Sequence, residues 1–169
     1  MVRLARKIGS RLTGHWIEHS CRTAAAGTVS LIVARFMGLP EPYWASITTL
    51  IVTQSTLGTA WTISVQRFFG TALGAAFGAL LTASFGASPL AFGTGVFVLG
   101  LLCMLLGLER SGYRYAGITL AIIMLVARSR PAWVIATHRF VEVSVGIAIG
   151  LVLTALWPER KTANAANKG

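Results

Sequence analysis

The chain has 169 residues, of which 54% are hydrophobic and only 12% charged, with a formal net charge of +10. Soluble domains carry about 25% charged residues, so a globule of this composition could not cover its apolar surface, and the chain belongs in a lipid bilayer. The positive charge does not point to nucleic acid, because the basic residues gather at the two ends and in short turns and not on one soluble face.

Residues 2–20 set Arg3, Arg6, Lys7 and Arg11 against Ile8, Leu12 and Trp16, an arrangement that predicts an amphipathic interfacial helix over 1–21. A signal peptide fits less well, since the basic lead is long and no convincing cleavage site follows. His15, Glu18 and His19 read as solvated interface residues. A first span is expected at about 22–39, with Arg35 reaching back to the headgroups near its far end. The stiff turn Pro40-Glu41-Pro42 ends it. A second span follows at about 43–57, then a break at Gly58 and Thr59, then a third span at about 61–85.

No Asp, Glu, Lys or Arg occurs from Phe68 to Leu108, too long for one span of about 20 residues, so residues 84–89 are expected to divide it. The fourth span is then about 90–108, a charged loop runs from Glu109 to Arg114, and a short fifth span covers about 115–127. Arg128, Arg130 and Pro131 turn the chain into a sixth span at about 132–157, and residues 158–169 form a polar, basic tail. Gly70, Gly74 and Gly78, and again Gly146 and Gly150, recur every four residues and give smooth faces for close helix packing. Cys21 and Cys103 fall at a membrane edge and in mid-span, so neither a disulfide nor a metal site is expected, and no residue pattern asks for a cofactor.

The stretch 43–85 returns as 115–157. At an offset of 72 the two share 13 of 43 residues, where about three or four would coincide in an Ala/Gly/Leu-rich composition. Among the matches are Tyr43/Tyr115, Trp61/Trp133, Arg67/Arg139, Phe68/Phe140, Gly74/Gly146 and Gly78/Gly150. The expected fold is all-α and integral to the membrane, with a six-helix domain over 22–157 made of two three-helix repeats, about 22–86 and 90–157. Three spans per repeat is an odd number, so the second copy is inverted relative to the first. Arg3, Arg6, Lys7, Arg11, Arg22, Arg110, Arg114, Arg160, Lys161 and Lys168 then share one side, against Arg128, Arg130 and Arg139 on or near the other. That places both termini in the cytoplasm.

An Arg inside an apolar span is a functional-site hypothesis by default. Arg67 and Arg139 sit in the early turns of the third and sixth spans, where helix donors and a planar guanidinium together suit a carboxylate. Anchoring at the headgroups is the competing reading. Glu142 lies three residues beyond Arg139 on the same helical face, where it can neutralise the arginine or carry a proton for coupling. His138 is a second proton-relay candidate. Trp61, Trp133, Tyr43, Trp44 and Tyr115 are candidates for stacking on an aromatic substrate, although belts of interfacial aromatics occupy span ends in any case.

The runs YWASITTLIVTQ, RFFGTALGAAFGALL and HRFVEVSVGIAIGLVLTALWPER resemble the membrane half of the fusaric acid resistance and aromatic acid exporter family, and are similar to the membrane fold of the plant aluminium-activated malate transporters. The resemblance covers about residues 20–160 and implies an inner-membrane exporter or channel for organic anions, with the two arginines near its path. It also implies a homodimer, since a second membrane half and a cytoplasmic domain of the larger exporters have no counterpart in these residues. Some relatives work with a periplasmic adaptor, and such a partner stays open. The expected function is export of aromatic or other organic carboxylates, driven by protons or not. A passive anion channel and a non-transporting membrane scaffold are the alternatives, and an enzyme is not expected, because no nucleophile–base pair, paired carboxylates or ligand cluster lies in the spans.

Overall fold

The computed structural model describes residues 14–53, 56–126 and 130–157. Residues 1–13, most of the expected interfacial helix, lie outside them, as do Arg128 and the tail 158–169. The described chain is all helical: α1 (Gly14–Phe36), α2 (Tyr43–Thr53), α3 (Leu57–Phe85), α4 (Pro89–Leu105), α5 (Arg110–Leu125) and α6 (Ala132–Leu156). Only α3 and α6 are long and apolar enough to cross a membrane, while α2 and α4 are shorter apolar helices.

Several boundaries move relative to expectation. The described end of the interfacial segment, from Gly14, runs unbroken into α1, because no proline or other helix breaker separates them. α3 already begins at Leu57, so Gly58 and Thr59 lie inside it and not in a break before it. Thr56 is extended at the N-cap, and Gly58 costs little in a first turn whose N–H groups have no helical partner anyway. The charged segment Arg110–Arg114 is the start of α5 and not a loop, because Gly107 has already turned the chain.

That turn is a matched device. Gly38 and Gly107 both adopt φ +68°, the left-handed region where a side chain is strained. After α1, the Leu39 N–H donates to the Ala34 carbonyl (3.1 Å). After α4, the Leu108 N–H donates to the Cys103 carbonyl (2.9 Å), the same closing pattern. Gly107→Ala should cost about 1–2 kcal/mol, read as a lowered thermal midpoint.

α3 and α6 lie antiparallel side by side. At one end Leu57 and Trp61 share a groove with Leu151, Val152 and Ala155. At the other, Ala75 and Ala79 cluster with Ala132, Ile135 and Ala136. Between these ends the equivalent rings Phe68 and Phe140 meet, 5.0 Å between centroids.

Each short helix packs on the long helix of the other half. α2 runs alongside the C-terminal half of α6: a Cβ on Gly146 would strike the Ala45 carbonyl, and one on Gly150 would sit 2.9 Å from Val52. α5 runs alongside the C-terminal half of α3, with Gly70 against the Gly112 carbonyl, Gly74 against the Ala116 carbonyl and Gly78 against Leu120 and Ile123. The glycine rows therefore serve α2–α6 and α3–α5 backbone contact.

The outer helices repeat the pattern with different chemistry. α1 packs antiparallel on α2 through hydroxyls, with Ser46 donating to the Gly27 carbonyl (2.7 Å) and Thr49 meeting Ser30 (2.8 Å) and the Gly146 carbonyl (2.9 Å). α4 closes instead on an apolar core of Leu99, Cys103, Ala116, Leu120 and Met124, flanked by Leu73, Phe77 and Leu81 of α3.

Candidate functional site

The two repeated arginines are both buried and lie beside the Phe68–Phe140 contact, yet their surroundings differ. Arg67 is 7% exposed. Its guanidinium lies 4.7 Å from the centroid of the Tyr115 ring, a cation–π contact from α3 to α5. Its Nε has no hydrogen-bond partner. Among the described residues no acidic side chain pairs with it.

Arg139 is 2% exposed and lies over the Trp44 ring at 3.8 Å. Its Nη2 meets Glu41 Oε2 at 3.3 Å and its Nη1 stands 3.7 Å from Glu142 Oε2. Glu142, 1% exposed, accepts the Glu41 backbone N–H on Oε1 at 2.8 Å. The Trp44 indole donates to Glu41 Oε2 at 3.1 Å. Two carboxylates thus surround one guanidinium, so with all three ionised the cluster carries one net negative charge.

The other half handles the same place differently. Gly70 stands where Glu142 would, and the Gln66 side chain accepts the Glu109 N–H at 3.1 Å. In both halves a side chain of a long helix therefore satisfies a backbone donor in the turn before a short helix, and near those N-termini a carboxylate is favoured.

Of the residues singled out in the sequence, the structure joins Arg67 to Tyr115 and Arg139 to Glu142. Tyr43 does not reach an arginine: it is 47% exposed and only tilts against Trp44. Trp61 and Trp133 are 62% and 68% exposed, near the starts of α3 and α6. His138 is half-buried next to Arg139. Arg67 is the eleventh residue of α3 and Arg139 the eighth of α6, so neither lies in the first turn, where a helix's own N-terminal field acts.

Trp44, one of the stacking candidates, fills for Arg139 the role that Tyr115 fills for Arg67, an offset of 71 and not 72. Two participants were not picked out as site residues. Glu41 reads as a turn residue between two prolines, yet it is one of only five acids in the chain. Arg22, counted as an orienting surface charge, is 3% exposed and its Nη2 caps the last carbonyl of α2, Thr53, at 2.8 Å. A cation at a helix C-terminus complements the macrodipole, and nothing in the sequence separates that use from a headgroup anchor.

Comparison with known proteins places this architecture. The Fusaric acid resistance protein-like family matches residues 28–153. The chain is 28% identical over 157 residues to Uncharacterized transporter YdhK of Escherichia coli (strain K12), covering 88% of this chain and 23% of that protein. It is 26% identical over 152 residues to Uncharacterized transporter GOX0755 of Gluconobacter oxydans (strain 621H), covering 82% of this chain and 21% of that one. The chain thus spans under a quarter of the length of these relatives. No solved structure matches it. The match over most of its length makes this chain a member of the fusaric acid resistance protein-like family of membrane proteins.

Proposed function

We propose that the chain moves small organic anions, aromatic carboxylates among them, across the inner membrane, and that Arg67 is the group that meets the carboxylate. The observation that carries this is the inequality of the two arginines. Arg139 already has Glu41 and Glu142, whereas among the described residues Arg67 has an aromatic face and no acid. A permanent cation buried in lipid without a counter-charge costs several kcal/mol, and an incoming carboxylate offsets that cost by two parallel hydrogen bonds. The antiparallel packing of α3 on α6 supports an inverted repeat, and the excess of Lys and Arg towards the two chain ends supports both termini in the cytoplasm. A second copy supplies the remaining wall of the path, and a partner subunit or periplasmic adaptor is compatible with relatives of which this chain matches under a quarter. Glu142, buried against Arg139 and accepting the Glu41 N–H, is the proton-coupling candidate, with His138 beside Arg139 the second.

Proteoliposomes loaded with labelled hydroxybenzoate test the reading. Arg67→Ala removes a charge-assisted contact of about 1.5–3 kcal/mol and should slow efflux about 10- to 100-fold, with Arg67→Lys keeping part of the rate. Efflux by Arg67→Ala equal to that of the parent would end Arg67's role. Flux that persists without a proton gradient and in Glu142→Gln would make the chain a passive channel.

A further inference from the structure

We infer that α1–α2 and α4–α5 are re-entrant hairpins: each enters the bilayer from one face, turns back near its middle and leaves by the same face, so that only α3 and α6 cross. The tips of the two hairpins are level with one another. The first tip, residues 37–42, is pinned where Glu41 meets Arg139 and Glu142 of α6. The second, residues 106–109, is pinned where the Glu109 N–H meets Gln66 and, just beyond it, Gly112 meets Gly70 of α3. Gln66, Gly70, Arg139 and Glu142 all lie within two residues of Phe68 or Phe140, about 3 Å along a helix axis, and those two rings touch. In a six-span chain these turns would lie on opposite faces, separated by a hydrocarbon core of about 30 Å. The Gly70–Gly112 contact is backbone against carbonyl, so no long side chain can hide such an offset.

For α2, length gives the same answer. α2 has 11 residues, about 16 Å of helix, half the core and well short of a span. It starts beside the middle of α6 and finishes near that helix's end, where Val52 meets Gly150. α5 starts beside the middle of α3 and runs the other way, Ile123 reaching the group of Ala75 and Ile135.

Charge then says what fills the centre. Glu109, Arg110 and Arg114 at the second tip are exposed, as is Arg35 before the first. Irregular backbone and exposed charge at mid-depth persist only against water or protein. The tips therefore line an aqueous cavity, into which α2 and α5 direct their N-terminal ends from opposite sides. Two crossings still leave the termini on one side, but Glu109–Arg114 no longer counts toward the cytoplasmic charge. This inference rests on the membrane setting and the packing register, not on transport; a chain that moves no solute would have the same topology.

Single-cysteine variants with Cys21 and Cys103 replaced by alanine test it in right-side-out and inverted vesicles. Thr56→Cys and Ser88→Cys report the two faces, and Met37→Cys and Leu106→Cys report the tips, both exposed in the fold. A bulky polyethylene-glycol maleimide should label each reference from its own face and neither tip from either face. A small charged thiosulfonate should label both tips, and detergent denaturation should expose all four sites. Bulky labelling of Met37→Cys from the Ser88 side, or of Leu106→Cys from the Thr56 side, would restore six spans. Tips that resist the small reagent as well would remove the cavity and overturn the inference.

Discussion

Arg139→Met should be the most damaging single substitution in the chain, lowering stability by about 3–5 kcal/mol. The side chain keeps its bulk and its contact with Trp44, but Glu142, almost wholly buried, and Glu41, 19% exposed, lose the guanidinium that lies against both. The measurement is thermal unfolding of the detergent-solubilised protein with membrane yield alongside. Adding Glu142→Gln should return part of the loss, because it removes one of the two carboxylates that faced the guanidinium. Arg67→Met is the control that separates packing from charge: it strands no carboxylate, so it should fold nearly normally and lose flux. Equal stability of parent and Arg139→Met would mean that the triad is not a unit.

The second large effect concerns the glycine rows. Gly74→Ala sets a methyl against the carbonyl oxygen, carbonyl carbon and Cα of Ala116, all backbone, so α3 and α5 must part along their whole contact. Overpacking of this kind costs about 1–3 kcal/mol, and Gly74→Leu should abolish folded yield. Gly117 is the matched control, one residue along α5 with open space before it. Gly117→Ala gains helix propensity without a collision and should be neutral or stabilising by up to about 1 kcal/mol. Opposite signs for two Gly→Ala changes on one helix pair would tie the effect to the contact and not to composition. Matching signs would sever that tie.

Much of this organisation was legible in the residues. An offset of 72 predicts that Arg67 and Arg139 are equivalent, and the meeting of Phe68 with Phe140 is what that equivalence looks like in space. The spacing of Gly70, Gly74 and Gly78 predicts a smooth face, though not that it belongs to α5. What failed did so for physical reasons. The offset matches Tyr43 with Tyr115, but the arginines are met at an offset of 71, and one residue turns a helix by about 100°, enough to swing Tyr43 outward and bring Trp44 in. Trp61 and Trp133 could not be oriented because α3 and α6 are apolar on every side, so no periodicity marks a buried face. Hairpin depth was invisible for a related reason: a half-length apolar helix and a short span have the same composition, and only contact register separates them.

The unequal treatment of the two arginines also bears on where an anion would rest. Arg67 and Arg139 lie at one depth, each one residue from the touching Phe68 and Phe140 rings, so the asymmetry runs across the bundle and not along it. On the proposed function, an anion at that depth is drawn to the Arg67 flank and turned away from the acid-guarded Arg139 flank, and neutralising Glu41 and Glu142 together should give it a second seat.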